Sequence, residues 1–252
     1  MSAPVFLAEP GTLGSVDAGG TYLLDGTEGR HAGVVQRRSP GERVDVVDGA
    51  GVRLVSTVRA VTADGVLLDV VERLVEPEPA VPLVLVQALA KGDRDELAIE
   101  AATEVGVDVV VPWQADRSIV VWRGDRAAKS RARWLGTVRA AAKQSRRARV
   151  PLVETSVDTA GLARRVGDVV AAGGAALVLH EQASRPIAEV GLPAAGPCLV
   201  VVGPEGGISD AELDRLVAAG AVAVRLGPHV LRTSTAGPVA LGLLAQRLGR
   251  WQ

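Results

Sequence analysis

The pattern of apolar residues changes its period near residue 82. Beyond this point, short continuous apolar runs, typical of strands buried on both faces, alternate with segments whose apolar residues recur at helical spacing. Strands are predicted over 83–89, 107–111, 175–179, 199–202 and 222–226, and helices over 93–105, 125–147, 157–172, 210–219 and 236–248. Strands that alternate with helices predict an α/β fold with a parallel sheet covered on both faces.

The first 75 residues show short Val-rich runs without a helical period. Strands are predicted over 42–47, 53–59 and 66–71. Glycine-containing turn signals at 48–51 and 64–65 separate them, which is typical of a small barrel or sandwich. The proline-rich segment 76–82 is predicted to be a linker, so we expect one domain over 1–75 and another over 83–252.

Two glycine- and proline-rich bends near the end of the chain are the strongest functional signal. The first bend, residues 203–207 (GPEGG), and the second bend, residues 226–236 (LGPHVLRTSTA), each follow a predicted strand. In open α/β sheets ligands bind beyond the carboxyl ends of strands, and glycine lets the backbone approach them. The bends therefore predict one small-molecule pocket. Each bend alone is equally explained as a tight turn or a helix cap, such as the capping box of Ser209 and Glu212.

Composition narrows the class of protein. The single Cys198 permits no internal disulfide and is expected in the core of a strand. The three histidines lack metal-ligand spacing, so no metal site is expected. No G-x-G-x-x-G follows an early strand, which argues against a dinucleotide-dependent oxidoreductase. No signal peptide and no apolar run of about 18 residues is seen, so we expect a cytoplasmic protein with no membrane partner.

Charge is strongly uneven, although the net charge is only −1. Between Arg117 and Arg149 the chain has eleven Lys or Arg residues and one acid. Such a block marks an anionic partner, and clustered cations that neutralise phosphates dominate affinity for nucleic acids. We therefore expect this block to contact RNA. Aromatic residues make up 2% of the chain, so base-stacking platforms are not expected, and Trp113, Trp122 and Trp134 are expected in the core.

Several segments together resemble one known family. The stretches GPEGGIS (203–209) and LGPHVLRTSTA (226–236) resemble the last two signature motifs of the SPOUT-class RNA methyltransferases. Within that class the chain resembles the 16S rRNA (uracil-N3) methyltransferases, the ribosomal RNA small subunit methyltransferase E family. Residues 29–38, 91–106 and 133–151 resemble its N-terminal segment, its first helix and its central basic helix, in the same order.

This resemblance implies a fold, a cofactor and partners. The C-terminal part would be a SPOUT-type parallel sheet with a trefoil knot, a rare exception to the rule against threaded chains. The N-terminal part would be a small PUA-like β-barrel that binds RNA. The cofactor would be S-adenosyl-L-methionine, and the substrate one uridine in the decoding region of 16S rRNA in the small ribosomal subunit. The working unit would be a homodimer, which the surplus of apolar residues on the last helix also favours.

Carried over position by position, the resemblance implies the residues of the site. The cofactor would contact Leu179, His180, Glu181, Val202, Gly203, Pro204, Glu205, Gly206, Gly207, Leu226, Gly227, Val230, Leu231, Thr233, Thr235 and Ala236. RNA would contact Arg30, His31, Arg37, Arg38, Arg133, Arg139, Arg146 and Arg147. Three positions depart from the family pattern, because His229 replaces Arg, Ser234 replaces Glu, and Lys143 stands where Glu is common.

Arg232 and Glu205 are the candidates for the chemistry. Uridine N3 is a poor nucleophile while protonated, so the enzyme must accept that proton or stabilise negative charge on the ring carbonyls. Arg232 suits charge stabilisation, and a phosphate contact or a surface ion pair is its alternative role. Glu205 could accept the proton, bind a cofactor hydroxyl or amine, or cap the following helix. His180 ends a predicted strand, where it either lines the pocket or is structural.

Two other functions stay open from the sequence. The cofactor motifs are shared across the SPOUT class, so methylation of a 2′-O-ribose or of tRNA is the first alternative. The second is a non-catalytic RNA-binding factor for ribosome assembly, which would be favoured if His229 and Ser234 disable the site.

Overall fold

The computed structural model describes residues 3–251, and these residues form two compact units. The first unit comprises the chain up to Glu78 together with Ala142–Val150. The second comprises Pro79–Ala141 and the chain from Pro151 onward. This division differs from the linear one expected from the sequence, because Ala142–Val150 belongs to the first unit.

The first unit is built on a five-stranded sheet. Its strands are β1 (Val5–Leu7), β2 (Thr21–Leu24), β3 (Arg43–Val47), β4 (Val52–Thr62) and β5 (Gly65–Val75), in the order β1-β3-β4-β5-β2. β1 and β3 are parallel, and the other neighbours are antiparallel. A short helix, α1 (Gly26–Arg30), runs directly into one turn of π-helix, His31–Val35. The sequence pattern predicted β3, β4 and β5 but not the short β1 and β2.

Turn chemistry and alternation explain this sheet. β4 and β5 form a hairpin, and the chain enters β5 at Gly65 with a φ of 147°. A Cβ at Gly65 would lie 2.3 Å from the carbonyl oxygen of Leu24, so only glycine fits there. Alternate residues of β5 are buried, as expected when one face of a sheet is covered. These residues, Val66, Leu68 and Val70, form the core of this unit with Phe6 and Leu54.

Backbone hydrogen bonds attach Ala142–Val150 to the first unit. The N–H of Val150 donates to the carbonyl oxygen of Gly49 at 2.9 Å, and the N–H of Gly51 donates to that of Ala148 at 3.2 Å. These bonds join residues that are far apart in the sequence, so no local pattern predicts them.

Lys143, which departs from the family pattern, has a structural role in the same unit. Its ammonium donates to both carboxylate oxygens of Glu28, at 2.9 and 2.6 Å. The same ammonium lies 5.2 Å from the centroid of the Phe6 ring, within the range of a cation–π contact. A glutamate in this place would face the carboxylate of Glu28 and repel it.

The second unit is a seven-stranded parallel sheet with helices between its strands. Its strands are β6 (Leu83–Ala88), β7 (Val109–Gln114), β8 (Leu152–Val153), β9 (Val157–Asp158), β10 (Ala175–Leu179), β11 (Cys198–Val202) and β12 (Val222–Val224). Their order is β12-β10-β11-β6-β7-β8, and β9 also pairs with β7. The helices are α2 (Arg94–Val105), α3 (Asp125–Gln144, up to Ala141 in this unit), α4 (Thr159–Ala171), α5 (Asp210–Ala218) and α6 (Thr233–Arg247), with a 3₁₀ turn at Ile187–Glu189. The predicted α/β fold with a parallel sheet is confirmed.

Helices cover both faces of this sheet. Val84 of β6 belongs to one apolar core with Leu162 of α4 and Leu216 of α5. Successive strand residues face opposite sides, and on the other side Leu85 lies against Gly237 of α6. α2 packs against α6 on that second side. Burial of both faces explains why the strands are continuous apolar runs in the sequence.

Cys198 and three of the four tryptophans, Trp113, Trp122 and Trp134, lie in the core, as the sequence predicted. Cys198 is fully buried, and burial raises the pKa of its thiol to about 11 despite the positive charge of Arg247. Trp113 and Trp134 are fully buried, and Trp122 packs edge-on to Trp134 with 5.0 Å between ring centroids. These indoles stabilise the fold by burial.

Candidate functional site

A cavity of about 780 Å³ opens in the second unit at the carboxyl ends of β10, β11 and β12. Its wall consists of residues 179–181, 202–208 and 225–233, together with Arg94, Arg117 and Ala236. β10 lies between β11 and β12, so the loops that leave these three strands meet at one edge of the sheet. The cavity thus brings together the first and the second bend.

One buried hydroxyl ties the two bends together. Oγ1 of Thr233 donates to the carbonyl oxygen of Gly203 at 2.7 Å and accepts from Nε2 of Gln87 at 2.9 Å. Thr233 and Gln87 are both buried, so water does not compete for these bonds. Gln87 was not predicted to belong to the site, although a single amide in an apolar strand is a signal, because a buried polar side chain needs a partner.

The glycines of the first bend are required by the packing of the protein itself. A Cβ at Gly203 would lie 2.6 Å from Cγ1 of Ile208, and one at Gly206 would lie 3.2 Å from Cβ of Arg117. Gly207 has a φ of 75°, in the left-handed region that favours glycine. These three residues therefore follow from the geometry of the turn and do not by themselves indicate a ligand.

Gly227 of the second bend is different. It lines the cavity, its φ lies outside the left-handed region, and a Cβ there would meet no protein atom within 4 Å. Packing and backbone would both permit a side chain at this position. A glycine in such a place suits a ligand that approaches the backbone closely.

The cavity wall contains the residues that the resemblance implied for the cofactor, with one exception. They are Leu179, His180, Glu181, Val202, Gly203, Pro204, Glu205, Gly206, Gly207, Leu226, Gly227, Val230, Leu231, Thr233 and Ala236. Thr235 lies outside the wall and is exposed, and its backbone N–H donates to the carbonyl oxygen of Arg232. Successive residues of a helix point in different directions, so Thr233 and Thr235 cannot both face the cavity.

Glu205 is an ion-paired carboxylate at the cavity wall. Its Oε1 accepts from Nη1 of Arg94 at 2.6 Å and from the backbone N–H of Lys91 at 3.2 Å. Partial burial alone would raise the pKa of Glu205, but the hydrogen bonds from Arg94 and from backbone N–H groups lower it below its ordinary value. A carboxylate with a lowered pKa is a weaker base, and it stays anionic and able to accept hydrogen bonds.

Arg232 lies at the wall immediately before α6. Its side chain is exposed, and it forms no ion pair with any of residues 3–251. His229 is also exposed at the wall, whereas Ser234 is not part of it. Of the two departures from the family pattern in this bend, only the one at position 229 therefore changes the surface of the cavity.

His180 combines the two roles that the sequence left open. It lines the cavity directly after β10. Its Nδ1 also accepts a hydrogen bond of 3.3 Å from the backbone N–H of Gln182. In the neutral ring, an accepting Nδ1 places the proton on Nε2, which leaves that nitrogen as a donor.

Three arginines of the wall were not predicted: Arg94, Arg117 and Arg225. Each follows the carboxyl end of a strand, respectively β6, β7 and β12. The signal was available, because polar residues after the strands of a parallel sheet meet at the same edge. Together with Arg232 they outnumber the carboxylates of the wall, Glu181 and Glu205.

The RNA-binding residues predicted near the N-terminus lie on and around the π-helical turn. Oε1 of Gln36 accepts from Nε and Nη2 of Arg38, at 3.1 and 2.9 Å. The amide nitrogen of Gln36 is therefore the atom that lies 2.9 Å from Nε2 of His31 and donates to it. Arg30 and Arg37 are exposed and form no ion pair with any of residues 3–251. The turn thus fixes His31 and Arg38 and leaves Arg30 and Arg37 in solvent.

Arg37 and Arg146 share a backbone conformation that is unusual for a side chain of their size. Their φ values are 52° and 59°, and they are the only non-glycine residues with positive φ in the part of the chain that the structure describes. Each follows a helical segment, at the position where glycine often ends a helix. Both are exposed. Such conformations cost free energy and cluster at functional sites.

The other predicted RNA contacts on and after α3 are either ion-paired or partly buried. Nε of Arg133 lies 2.8 Å from Oε1 of Glu96, so this charge is already paired. Arg139 and Arg147 are partly buried. The backbone N–H of Arg147 donates to the carbonyl oxygen of Ala142 at 2.8 Å, which closes the end of the helix.

None of the helices within residues 3–251 has the length and apolar character needed to cross a bilayer. The same residues contain no group of three His, Cys, Asp or Glu side chains placed to hold a metal ion.

The chain is similar to proteins of one family. Residues 76–245 match a family model described as an RNA methyltransferase domain. The chain is 48% identical over 235 residues to the ribosomal RNA small subunit methyltransferase E of Mycobacterium bovis, covering 93% of this chain and 90% of the relative. It is 31% identical over 243 residues to the protein of the same name from Bacillus subtilis, covering 93% of each. A crystal structure of a ribosomal RNA small subunit methyltransferase E from Neisseria gonorrhoeae, bound to S-adenosyl methionine, matches 98% of both chains with a TM-score of 0.83 and 26% identity.

Proposed function

The chain belongs to the ribosomal RNA small subunit methyltransferase E family, and from this premise we propose that it methylates N3 of one uridine in the decoding region of 16S rRNA, with S-adenosyl-L-methionine as methyl donor. The observation that carries the proposal is the cavity that the two bends enclose. The names of the relatives and the ligand of the similar crystal structure support it.

The cavity suits this cofactor in size and in chemistry. Its volume of about 780 Å³ is within the range of roughly 300–1,000 Å³ found for small-molecule sites. The apolar side chains of Leu179, Val202 and Leu226 would hold the adenine ring, and the carboxylates of Glu181 and Glu205 would hold hydroxyl or amine groups. When bound, S-adenosyl-L-methionine supplies an electrophilic methyl group.

We assign stabilisation of the uracil ring to Arg232. Uridine N3 attacks only after its proton passes to solvent water, and the resulting negative charge spreads over the two ring carbonyls. The guanidinium of Arg232 has no ion pair within residues 3–251, so its charge and its N–H groups are available to those oxygens. Glu205 is paired with Arg94 and is a weak base, which favours the cofactor as its partner over the N3 proton.

Arg232→Ala separates catalysis from cofactor binding. We expect kcat to fall about a hundredfold or more, the scale on which loss of a preorganised charge contact acts. Calorimetry should show unchanged affinity for S-adenosyl-L-methionine. If both properties are lost, the role assigned to Arg232 is wrong.

Reverse transcription of rRNA tests the proposed reaction. An N3-methyl group blocks Watson–Crick pairing and stops the polymerase, whereas a ribose methyl does so far less. We expect a stop in the decoding region of 16S rRNA from the wild-type strain and none from a strain that lacks the gene. The wild-type gene should restore the stop, and the Arg232→Ala gene should not. A stop that persists without the gene would contradict the assignment.

The first unit is proposed to be a PUA-like β-barrel that binds the rRNA. Its small five-stranded sheet and its exposed arginines support this role. Arg30, Arg37 and Arg146 are the proposed RNA contacts that are exposed and form no ion pair with any of residues 3–251, and phosphate groups are the usual partners of exposed arginines in such interfaces. Because the substrate is ribosomal, we expect the protein to work in the cytoplasm.

A knotted path is proposed for the second unit. β12 lies at one edge of the sheet, yet the next element, α6, returns to pack on β6 and β11 in its middle. A return of this kind is compatible with a trefoil knot, the rare exception to unthreaded chains. Pulling a single unfolded molecule by its termini tests it. A tightened knot leaves the chain shorter than roughly 3.4 Å per residue, and full extension would contradict the knot.

The working unit is proposed to be a homodimer with α6 at its interface. Val239 and Leu243 lie four residues apart on one side of α6 and are 41% and 45% exposed. The indole of Trp251 packs over Gly242 and is 46% exposed. Neighbouring exposed apolar side chains of this kind are typical of a two-fold protein interface.

A further inference from the structure

The positive charge of the cavity exceeds what the cofactor can use. Arg94 is neutralised by Glu205, whereas Arg117, Arg225 and Arg232 form no ion pair with any of residues 3–251. S-adenosyl-L-methionine itself carries net positive charge, because its sulfonium and ammonium groups outnumber its one carboxylate. Unpaired guanidinium groups repel such a ligand, so they indicate a second ligand that is anionic. Under the proposed function this second ligand is RNA.

Arg117 is the best fixed of these three arginines. It lies directly across the first bend: a Cβ at Gly206 would be 3.2 Å from Cβ and 3.6 Å from Cδ of Arg117. Nη1 of Arg117 donates to the carbonyl oxygen of Gly206 at 3.0 Å, and a Cβ at Gly207 would lie 3.7 Å from Nη1. The lack of side chains at Gly206 and Gly207 thus leaves room for Arg117, and the bond to Gly206 holds its guanidinium at the cavity wall.

In this position the guanidinium of Arg117 still has N–H groups that are available to donate hydrogen bonds. An arginine has five N–H donors, and Arg117 uses Nη1 for Gly206 and makes no other side-chain hydrogen bond to the described part of the chain. Arg225 and Arg232 make no side-chain hydrogen bond there, so neither is held in place in the same way. A guanidinium fixed at one end and open at the other is suited to a two-point contact with a phosphate.

We propose that Arg117 binds a phosphate of the RNA strand that carries the target uridine, and so positions this nucleotide beside the cofactor. The inference rests on the proposed function. Arg117 is also the first residue of the basic block that the sequence showed up to Arg149, so the block begins at the wall of the cavity.

The salt dependence of binding tests this role. Small ribosomal subunits from a strain that lacks the gene serve as the RNA, and their affinity for the protein is measured over a range of salt concentrations. One phosphate contact on a single strand contributes about 0.7 to the slope of log affinity against log salt. Arg117→Ala should reduce the slope by about this amount, and it should weaken binding roughly tenfold at low salt through loss of a charged hydrogen bond.

Two further variants separate charge from geometry. Arg117→Lys keeps the positive charge, so we expect the wild-type slope with an affinity between those of the wild type and Arg117→Ala. Arg215→Ala removes an exposed arginine of α5 that lies outside the cavity wall, and we expect it to change neither slope nor affinity.

Either of two results would overturn the inference. The first is an unchanged slope in Arg117→Ala. The second is a loss of affinity for S-adenosyl-L-methionine as large as the loss for the subunits, because Arg117 would then only support the first bend. These measurements involve no turnover. A wild-type protein that left the uridine unmodified would therefore contradict the proposed function, and the slope would still decide the role of Arg117.

Discussion

At the scale of single residues, the hydroxyl of Thr233 holds the two bends in a fixed relation. Thr233→Val keeps the shape of the side chain but leaves the carbonyl of Gly203 and the amide of Gln87 without this partner. We expect the free energy of unfolding to fall by about 1–3 kcal/mol, the cost of unpaired buried groups. Affinity for S-adenosyl-L-methionine, measured by calorimetry, should fall about tenfold, since roughly 1.4 kcal/mol of distortion is enough for that.

Thr235→Val is the matched control for this prediction. It makes the same change two residues further along, on an exposed side chain outside the cavity wall. We expect the free energy of unfolding to change by less than about 0.5 kcal/mol and cofactor affinity to stay the same. Equal effects of the two substitutions would show that the buried bonds of Thr233 do not position the bends.

The sequence could predict the bends but not the residues that secure them. The first bend is a local pattern, an apolar run followed by glycine and proline, and it can be seen within ten residues. Gln87 and Arg117 act through partners 146 and 89 positions away. Only the order of the strands brings these partners together, and a single sequence does not show that order.

At the scale of elements, α6 is held close to the sheet by a glycine. A Cβ at Gly237 would lie 2.8 Å from Cδ1 of the buried Leu85. Gly237→Val should therefore force the helix outward and lower the free energy of unfolding in urea by about 1–3 kcal/mol, the usual cost of overpacking. As a control, Gly136→Ala adds a methyl group to α3 where no atom lies within 4 Å, and it should stabilise the protein by about 0.5–1 kcal/mol. If Gly237→Val is as stable as the wild type, the close approach is not required.

The first turn of α2 contains a carboxyl group whose proton is held unusually tightly. Burial raises the pKa of Asp95 from 3.8 to about 6, although backbone N–H groups of Glu96 and Ala90 and the charge of Arg133 act in the opposite direction. The folded protein therefore binds this proton more tightly than the unfolded chain does. The stabilisation from this group is fully present below about pH 4 and is lost as the pH rises to about 6.

Asp95→Asn removes this titration. Two pKa units correspond to roughly 3 kcal/mol, so the stability of the variant relative to the wild type should rise by that order between pH 4 and pH 7. Urea unfolding at several pH values measures the difference. Asp93→Asn, which changes an exposed carboxylate at the start of the same helix, is the control. A stability difference for Asp95→Asn that is constant with pH would contradict the prediction.

Boundaries and short strands are the parts of the elements that the sequence did not predict. β8 and β9 have two residues each, too few for an alternating pattern to be recognised. α6 begins at Thr233, three residues before the predicted start, because the threonines and serine of the second bend form its first turn. The long buried strands and α2 were predicted well, since their apolar runs are set by burial along their whole length.

At the scale of the whole molecule, the exposed apolar side of α6 predicts a dimer. Leu243→Glu places a charge in the proposed interface, next to Val239. We expect light scattering at micromolar concentration to give twice the mass of one chain for the wild type and the mass of one chain for the variant. Val217→Glu changes a comparably exposed apolar residue on α5 and should leave the dimer intact. A monomeric wild-type protein would contradict the proposed dimer.

The division of the chain into units marks a second limit of sequence analysis. The first segment of one compact unit ends at Glu78, and the other unit begins at Pro79, inside the proline-rich segment 76–82. The assignment of Ala142–Val150 to the first unit could not be predicted, because its hydrogen-bond partners Gly49 and Gly51 lie about a hundred residues earlier in the chain. Composition identifies linkers, but it does not show which compact unit a later segment of the chain joins.

The left-handed arginines at positions 37 and 146 have a consequence for engineering heat resistance. Glycine adopts this conformation without the strain that a longer side chain incurs, so Arg37→Gly or Arg146→Gly would relax the backbone at these two helix ends. Optimisation of the melting temperature alone would therefore favour both substitutions. We expect such a variant to melt at a higher temperature and to bind the proposed rRNA substrate less tightly, because the two strained residues are also proposed to contact that rRNA.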